Sequence, residues 1–102
     1  MRPLVVGLNH RSAPIEVREL LAVNSHQMSR VLKAAKKHIG QAVILSTCNR
    51  SEFYTLEQDD NLEQRVKAFI ENYFQVSENT INPYLYTYQD DECVEHLFRV
   101  TS

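Results

Sequence analysis

Apolar positions along the chain form four short runs that predict strands. The run at 4–8 is continuous and bounded by polar or turn residues, which is typical of a buried strand. Further strands are predicted at 42–45 and at 52–57, and the second of these has apolar residues on both faces. Tyrosines at every second position predict a fourth strand over 81–88 with one aromatic face.

Two helices are predicted between the first two strands. Pro14 suits a first helical turn, where its missing N–H costs nothing, and a short helix follows over 15–22. Asn24 precedes Gln27 by three residues, which is the spacing of a capping box, and an apolar stripe follows. Gly40 favours the end of that helix, because glycine accepts a positive φ.

Two later helices are predicted from polar starts followed by apolar stripes. The first begins at 59–61, and its stripe runs from Leu62 to Tyr73. The second begins at 90–92, where negative charge suits the positive end of the helix dipole. We expect three residues to share the buried face of this last helix: Cys93, Leu97 and Val100.

The order of elements is βα(α)ββαβ followed by a helix, which favours an α+β fold. Two βαβ-like halves around a central ββ pair predict a split βαβ, ferredoxin-like sandwich. In it, a mostly antiparallel four-stranded sheet carries helices on one face. The 102 residues suit one domain, and no glycine terminates the last helix, so we expect a truncated piece of a longer protein.

Composition and charge exclude several classes of function. A net charge of −2 gives no electrostatic footprint for tight, autonomous nucleic-acid binding. With two glycines the chain has neither a GxGxxG motif nor a P-loop, and no Cys/His cluster has zinc spacing, so neither a dinucleotide site nor a metal site is predicted. No apolar run reaches the roughly 20 residues of a membrane span, and no signal peptide is evident.

The strongest chemical candidate is Cys48, which follows the strand predicted at 42–45. Structural cysteines are usually surrounded by apolar residues, and a buried role remains the alternative here. The neighbours of Cys48 are instead Thr47, Asn49 and Arg50. Arg50 would lower the pKa of the thiol if the turn folds it back, and Thr47 and Asn49 suit a carbonyl substrate or its developing oxyanion. This pattern predicts a presented nucleophile.

The second cysteine, Cys93, serves as an internal comparison. It lies at helical spacing with Leu97 and Val100, so we expect it in the core. The two cysteines form neither a disulfide framework nor a CxxC site, which favours a reducing, cytosolic setting.

Two histidines are further candidates. His96 falls at the edge of the last helical stripe, near Arg99, and is either a half-exposed structural side chain or a proton donor within reach of Cys48. His10 follows the first strand as Cys48 follows the second. These two strand ends meet only if the strands are parallel neighbours, and on that basis we take His10 as a candidate substrate-binding residue.

Basic and aromatic residues leave a second class of function open. Arg30, Lys33, Lys36 and Lys37 make one helix mildly basic, which fits either a solvated face or a glancing contact with RNA phosphate. The predicted tyrosine face suits either base stacking or packing under helices. The alternative function is therefore a non-catalytic RNA-binding module of split βαβ type, with an open aromatic sheet face.

Three segments resemble, in order and approximate spacing, successive motifs of the glutamyl-tRNA reductase family. They are GLNHRSAP at 7–14, LSTCNRSE at 45–52 and HLFRV at 96–100. The resemblance spans positions 7 to 102. Two departures are mild: Ser51 stands where threonine is common, and Thr101 where alanine is common.

The resemblance implies an N-terminal catalytic domain, at 1–102, of a cytoplasmic enzyme that reduces glutamyl-tRNA to glutamate-1-semialdehyde for tetrapyrrole synthesis. Cys48 falls on the nucleophile that forms a thioester and releases tRNA. Thr47, Asn49 and Arg50 fall on the substrate-recognition block, and His96 matches a histidine beside the substrate. The resemblance also implies that NADPH binds to a separate domain outside this chain, and that a homodimer forms through a C-terminal domain.

Overall fold

The structure, a computed structural model, describes residues 2–57 and 60–101. Its four strands are β1 (Arg2–Asn9), β2 (Ala42–Ser46), β3 (Arg50–Glu57) and β4 (Tyr86–Gln89). The α-helices are α1 (Ile15–Leu20), α2 (Ser25–Ile39), α3 (Leu62–Phe74), α4 (Glu78–Ile81) and α5 (Asp90–Thr101), and a 3-10 turn covers Asn82–Tyr84.

The sheet has the order β2-β3-β1-β4, and every neighbouring pair is antiparallel. β1 and β3 form its centre and pair over eight positions, ending with Asn9 opposite Arg50. This is the strand order of a split βαβ sheet. The predicted α+β class and antiparallel four-stranded sheet are confirmed.

Both faces of the central strand β1 are buried. Leu4, Val6 and Leu8 point into a core that they share with the apolar stripes of α2 and α3. Val5 points to the opposite face, where it packs with Tyr54 of β3 and Cys93 of α5. The expectation that helices lie on one face therefore holds for α2 and α3 but is wrong for α5. The continuous apolar run of β1 is the physical reason, because a strand covered on both sides does not alternate.

The last helix reaches its face of the sheet without a loop. Asp90 is the first residue of α5 and follows β4 directly, with a φ of 56° in the left-handed region. Asp tolerates that region better than most residues. Its carboxylate accepts a hydrogen bond from Arg2 Nη2 at 3.1 Å, and this interaction lowers the pKa of Asp90. The sharp turn folds α5 back over β1 and β4.

Several local predictions are confirmed. Asn24 and Gln27 form the capping box at the start of α2, with Gln27 N donating to Asn24 Oδ1 at 2.9 Å. Gly40 ends α2 with a φ of 80°. Residue 59 of the predicted helix start at 59–61 lies outside the described residues, and α3 begins at Leu62.

Two other predictions need correction. The strand predicted over 81–88 begins only at Tyr86, because Ser77 caps the short helix α4 and Pro83, which has no N–H for a strand ladder, lies in the 3-10 turn. In α5, the side chains that face the sheet are Cys93 and His96. Leu97, which was expected on that face, is 37% exposed.

Candidate active site

Cys48 lies at the tip of the tight hairpin that joins β2 to β3. Thr47 N donates to Arg50 O at 2.8 Å and Arg50 N to Thr47 O at 3.4 Å, so Cys48 and Asn49 form the two-residue turn. Asn49 N donates to Thr47 Oγ1 at 3.1 Å. The thiol is free and Cys48 is exposed. The connection is shorter than predicted, since Arg50 and Ser51 already belong to β3.

This hairpin is tied to the segment around α1. Arg18 of α1 donates from Nε to Cys48 O at 3.3 Å and from Nη1 to Ala13 O at 2.8 Å. Ser46 and Ser51, on either side of the turn, bond to backbone groups between α1 and α2 at 2.9 and 3.1 Å. Sequence analysis missed Arg18, because no periodic pattern relates it to a turn 30 residues away.

A cleft of about 620 Å³ lies where β1 ends and β3 begins. Three arginines give it positive charge, and no carboxylate is among its lining residues. It is lined by Asn9, His10, Arg11, Ser12, Arg50, Tyr86, Tyr88, His96, Arg99 and Val100.

The cleft brings together three of the predicted site residues: His10, Arg50 and His96. The other three, Cys48, Thr47 and Asn49, occupy the adjoining turn. β1 and β2 run parallel but are not neighbours, since β3 lies between them. His10 and Cys48 therefore follow strands that end at the same edge of the sheet, although not side by side as that prediction required.

Beside this cleft lies a buried carboxylate that sequence analysis did not assign. Glu52 of β3 is 0% exposed. It accepts hydrogen bonds from Tyr54 Oη at 2.8 Å, Tyr86 Oη at 2.5 Å, Arg50 Nη1 at 3.3 Å and His96 Nε2. Four donors from three elements converge on one side chain, so Glu52 fixes the wall of the cleft.

The hydrogen bonds decide the charge of Glu52. Burial by itself would raise the pKa of its carboxyl, but the bonds from Tyr86, His96 and Tyr54 outweigh burial and hold the pKa below its ordinary value of 4.5. The ionised carboxylate only accepts, so His96 Nε2 carries a hydrogen. In the neutral histidine, Nδ1 is then the nitrogen that can accept a proton.

Gly7 makes room for this carboxylate. Gly7 of β1 lies opposite Glu52 on one side and Tyr86 on the other. A Cβ at Gly7 would lie 2.6 Å from Ser51 O and 2.8 Å from Glu52 Cγ. The sequence contained a signal for this site, because Glu52 alternates in phase with Arg50 and Tyr54, which places two opposite charges on one face of a buried strand.

The aromatic residues of β4 are half-buried, with α5 packed beside them. The ring of His96 lies 5.4 Å from that of Tyr86 and 4.9 Å from that of Tyr88, measured between centroids. Tyr84, by contrast, packs against the core on the α2 and α3 face. Burial and the hydrogen bond to Glu52 raise the pKa of Tyr86, which keeps its hydroxyl a donor. The tyrosines of β4 therefore do not form the fully open aromatic face that the RNA-binding module requires, and that alternative is not favoured.

Cys93 has the opposite environment to Cys48. It is 2% exposed and packs with Val5 and Tyr54. Burial raises the pKa of its thiol to about 11, so little thiolate forms at neutral pH. The prediction that Cys93 is a core residue is confirmed.

The glycines of the described residues do not fit a Rossmann-type dinucleotide site. Pyrophosphate is held where a glycine-rich turn opens a helix. Gly7 lies within a strand with no room for a Cβ, and Gly40 lies at a helix C-terminus, where the dipole repels phosphate. Over residues 2–57 and 60–101, we also find no helix with the length and apolar character that a membrane crossing needs.

Comparison with known proteins identifies similar sequences. The family model described as "Glutamyl-tRNAGlu reductase, N-terminal domain" matches residues 6–102. The glutamyl-tRNA reductase of Thermodesulfovibrio yellowstonii is 41% identical over 112 residues, which cover 100% of this chain and 26% of that protein. That of Hydrogenovibrio crunogenus is 38% identical, with coverage of 100% and 24%. The chain thus spans about a quarter of the length of these curated relatives.

A solved structure shows the same fold. Glutamyl-tRNA reductase from Methanopyrus kandleri matches with a TM-score of 0.69 and 25% sequence identity. The match covers 96% of this chain and 21% of that one.

Proposed function

We propose that this chain performs the acyl-transfer step in the reduction of glutamyl-tRNA. The premise is that the chain belongs to the family of glutamyl-tRNA reductase N-terminal domains. Cys48 Sγ attacks the carbonyl carbon of the glutamyl ester. The new S–C bond replaces the bond from that carbon to the ribose oxygen, and the proton of the thiol ends on the released ribose hydroxyl. A glutamyl thioester on Cys48 and free tRNA result.

The observation that carries this proposal is the contrast between the two thiols. Cys48 is exposed at a hairpin tip, and its turn is fixed by hydrogen bonds that Arg18 and Ser51 donate and by one that Ser46 accepts. A fixed, accessible thiol beside a cleft is what an acyl acceptor needs, because orientation removes much of the entropy cost of a bimolecular step.

The charge of the cleft suits a glutamyl group. Arg50 is partly buried, with 19% of its side chain exposed, and Glu52 holds its guanidinium on one side. A guanidinium oriented in this way is a good partner for the side-chain carboxylate of the substrate. Arg11 and Arg99 add positive charge around it, and His10 adds a polar ring. Thr47 and Asn49 flank the thiol and are the nearest candidates to hold the ester carbonyl.

His96 assists from the wall of the cleft. Its Nε2–H is occupied by Glu52, so any proton that it exchanges with the thiol or with the leaving ribose oxygen passes through Nδ1. Glu52 acts on the reaction through His96 and Arg50 and is thus a positioning residue.

The remaining steps of the reduction belong to other parts of a larger enzyme. Hydride comes from NADPH on a separate domain, the product is glutamate-1-semialdehyde for tetrapyrrole synthesis, and a further domain forms the homodimer. A free, exposed thiol persists in a reducing compartment, which supports a cytosolic location for the reaction.

The nucleophile is tested by transfer of labelled glutamate. When the protein is mixed with glutamyl-tRNA that carries radiolabelled glutamate, label should appear on wild type and on Cys93→Ser, and should be released by hydroxylamine, which cleaves thioesters. Cys48→Ser should acquire none. Equal labelling of Cys48→Ser would refute the assignment, and a circular dichroism spectrum like that of wild type would show that this variant is folded.

A further inference from the structure

Four of the eleven lysines and arginines of this chain lie on one helix, α2. The α2 basic face comprises Arg30, Lys33, Lys36 and Lys37, all exposed. α2 contains no aspartate or glutamate. The rest of the chain, with seven lysines and arginines against thirteen acidic residues, carries a net charge of −6. The net charge of −2 thus hides a strong local asymmetry.

This face has no packing role. Val31, Ala35 and Ile39 form the buried side of α2, and they belong to the core shared with α3. The cations point away from that core. From Arg30 to Lys37 they extend over about 10 Å of helix axis, at 1.5 Å per residue. A nucleic-acid duplex carries about six phosphates over that length.

The α2 basic face leads toward the nucleophile. The chain enters α2 beside the hairpin that carries Cys48, since Val23 N donates to Ser46 Oγ at 2.9 Å. Arg30 lies about 8 Å along the axis from the first residue of α2. The other helix at this end of the sheet, α1, instead presents the exposed Glu16 and Glu19. Anionic backbone is therefore attracted along α2 and repelled along α1.

We propose that the α2 basic face binds the phosphate backbone of the tRNA whose aminoacylated end reaches Cys48; this rests on the proposed function. The outward face of α2 has no apolar side chains to insert into a lipid surface, which separates it from membrane-binding helices. The contacts are to phosphate, so they supply affinity and position without reading sequence.

The test is the salt dependence of tRNA binding. The affinity of the protein for fluorescently labelled tRNA that carries no amino acid is measured between 50 and 200 mM salt, for wild type and for Lys33→Gln/Lys37→Gln. The plot of log affinity against log salt has a negative slope. For each phosphate that the variant no longer neutralises, the magnitude of this slope should decrease by about 0.9, and binding at 0.1 M salt should weaken by about eightfold. The matched control is Arg2→Gln/Lys67→Gln, which removes the same charge from β1 and α3.

Three results would overturn the proposal. One is a slope for Lys33→Gln/Lys37→Gln equal to that of wild type. Another is an equally reduced slope in the control, which would reflect net charge alone. The third is tight binding of polyglutamate that the same variant abolishes, which would assign the face to an acidic protein. Labelling of Cys48 by a small glutamyl thioester is measured in parallel. Absence of labelling in wild type would refute the proposed function. Wild-type labelling of Lys33→Gln/Lys37→Gln would show that this variant has lost only the contact with RNA.

Discussion

Glu52 is the residue on which the arrangement of the site depends. A buried charge is tolerated only when it is paired and hydrogen-bonded, and here two tyrosines, an arginine and a histidine meet that need. The same bonds orient Arg50 and His96 toward the cleft. One buried carboxylate therefore contributes both to stability and to the geometry of the proposed substrate site.

Replacement of Glu52 by Gln should change stability in a pH-dependent way. A carboxyl whose pKa is depressed on folding stabilises the protein above its unfolded value, near 4.5, and loses that contribution as pH falls through the folded value. We expect Glu52→Gln to lower the free energy of unfolding by about 2 kcal/mol at pH 7 and to flatten its decline below pH 4.5. Urea denaturation from pH 3 to 8 measures both effects.

The control for that experiment is Glu63→Gln, which removes a carboxylate from a surface pair with Lys67 on α3. Such pairs contribute about 0.5 kcal/mol. A pH profile for Glu52→Gln that runs parallel to wild type would contradict the role given to the buried carboxylate.

At the scale of elements, the decisive feature is how the β2–β3 hairpin is held. Three side chains connect it to the α1 region, and the guanidinium of Arg18 bonds the carbonyl of Cys48 itself. Without these contacts, a two-residue turn at the end of two strands could change its orientation relative to the rest of the sheet. The orientation of the thiol therefore depends on an element from elsewhere in the chain.

Replacement of Arg18 should slow acylation more than it destabilises the fold. Arg18→Gln removes at least one of two hydrogen bonds and should cost about 1 kcal/mol of stability. Since a small misplacement of a reacting group is costly, we expect the single-turnover rate of Cys48 labelling at saturating glutamyl-tRNA to fall by about tenfold or more. Arg18→Lys should be intermediate, because an ammonium cannot match the planar donor fork.

Glu16→Gln, at an exposed position of the same helix α1, is the matched control and should label at the wild-type rate. A wild-type rate in Arg18→Gln would show that the hairpin holds its shape without this hydrogen bond.

At the scale of the whole molecule, the described residues form two apolar cores, one on each side of the sheet. The larger core gives the domain its stability, while the smaller one, under α5, supports the cleft. Neither glycine of the described residues opens a helix, so these residues lack the glycine-rich turn of a Rossmann-type dinucleotide site.

These 102 residues should therefore stop at the thioester. With glutamyl-tRNA and NADPH together, we expect thioester on Cys48 or free glutamate from its hydrolysis, and no glutamate-1-semialdehyde. Chromatography of the products after chemical trapping of the aldehyde measures this. Semialdehyde formed by this chain alone would contradict the proposed division of labour.

Much of this architecture was predictable, because local sequence patterns reflect interactions between residues that are close together in the chain. The capping box of Asn24 and Gln27, the glycine end at Gly40 and the contrast between Cys48 and Cys93 all depend on neighbours within a few residues. Predictions failed where distant segments decide. Leu97 was expected on the buried face of α5, but the carboxylate of a strand 44 residues earlier draws His96 there instead.

The sequence by itself determined the α+β class, which of the two thiols is exposed and the polar block around it, because apolar periodicity and turn chemistry are short-range. Only the tertiary structure decided that α5 crosses to the second face of the sheet, that Arg18 holds the turn of Cys48, and that Glu52 collects four donors. These contacts join residues far apart in the chain, and their energies arise from burial, which exists only once the strands have paired.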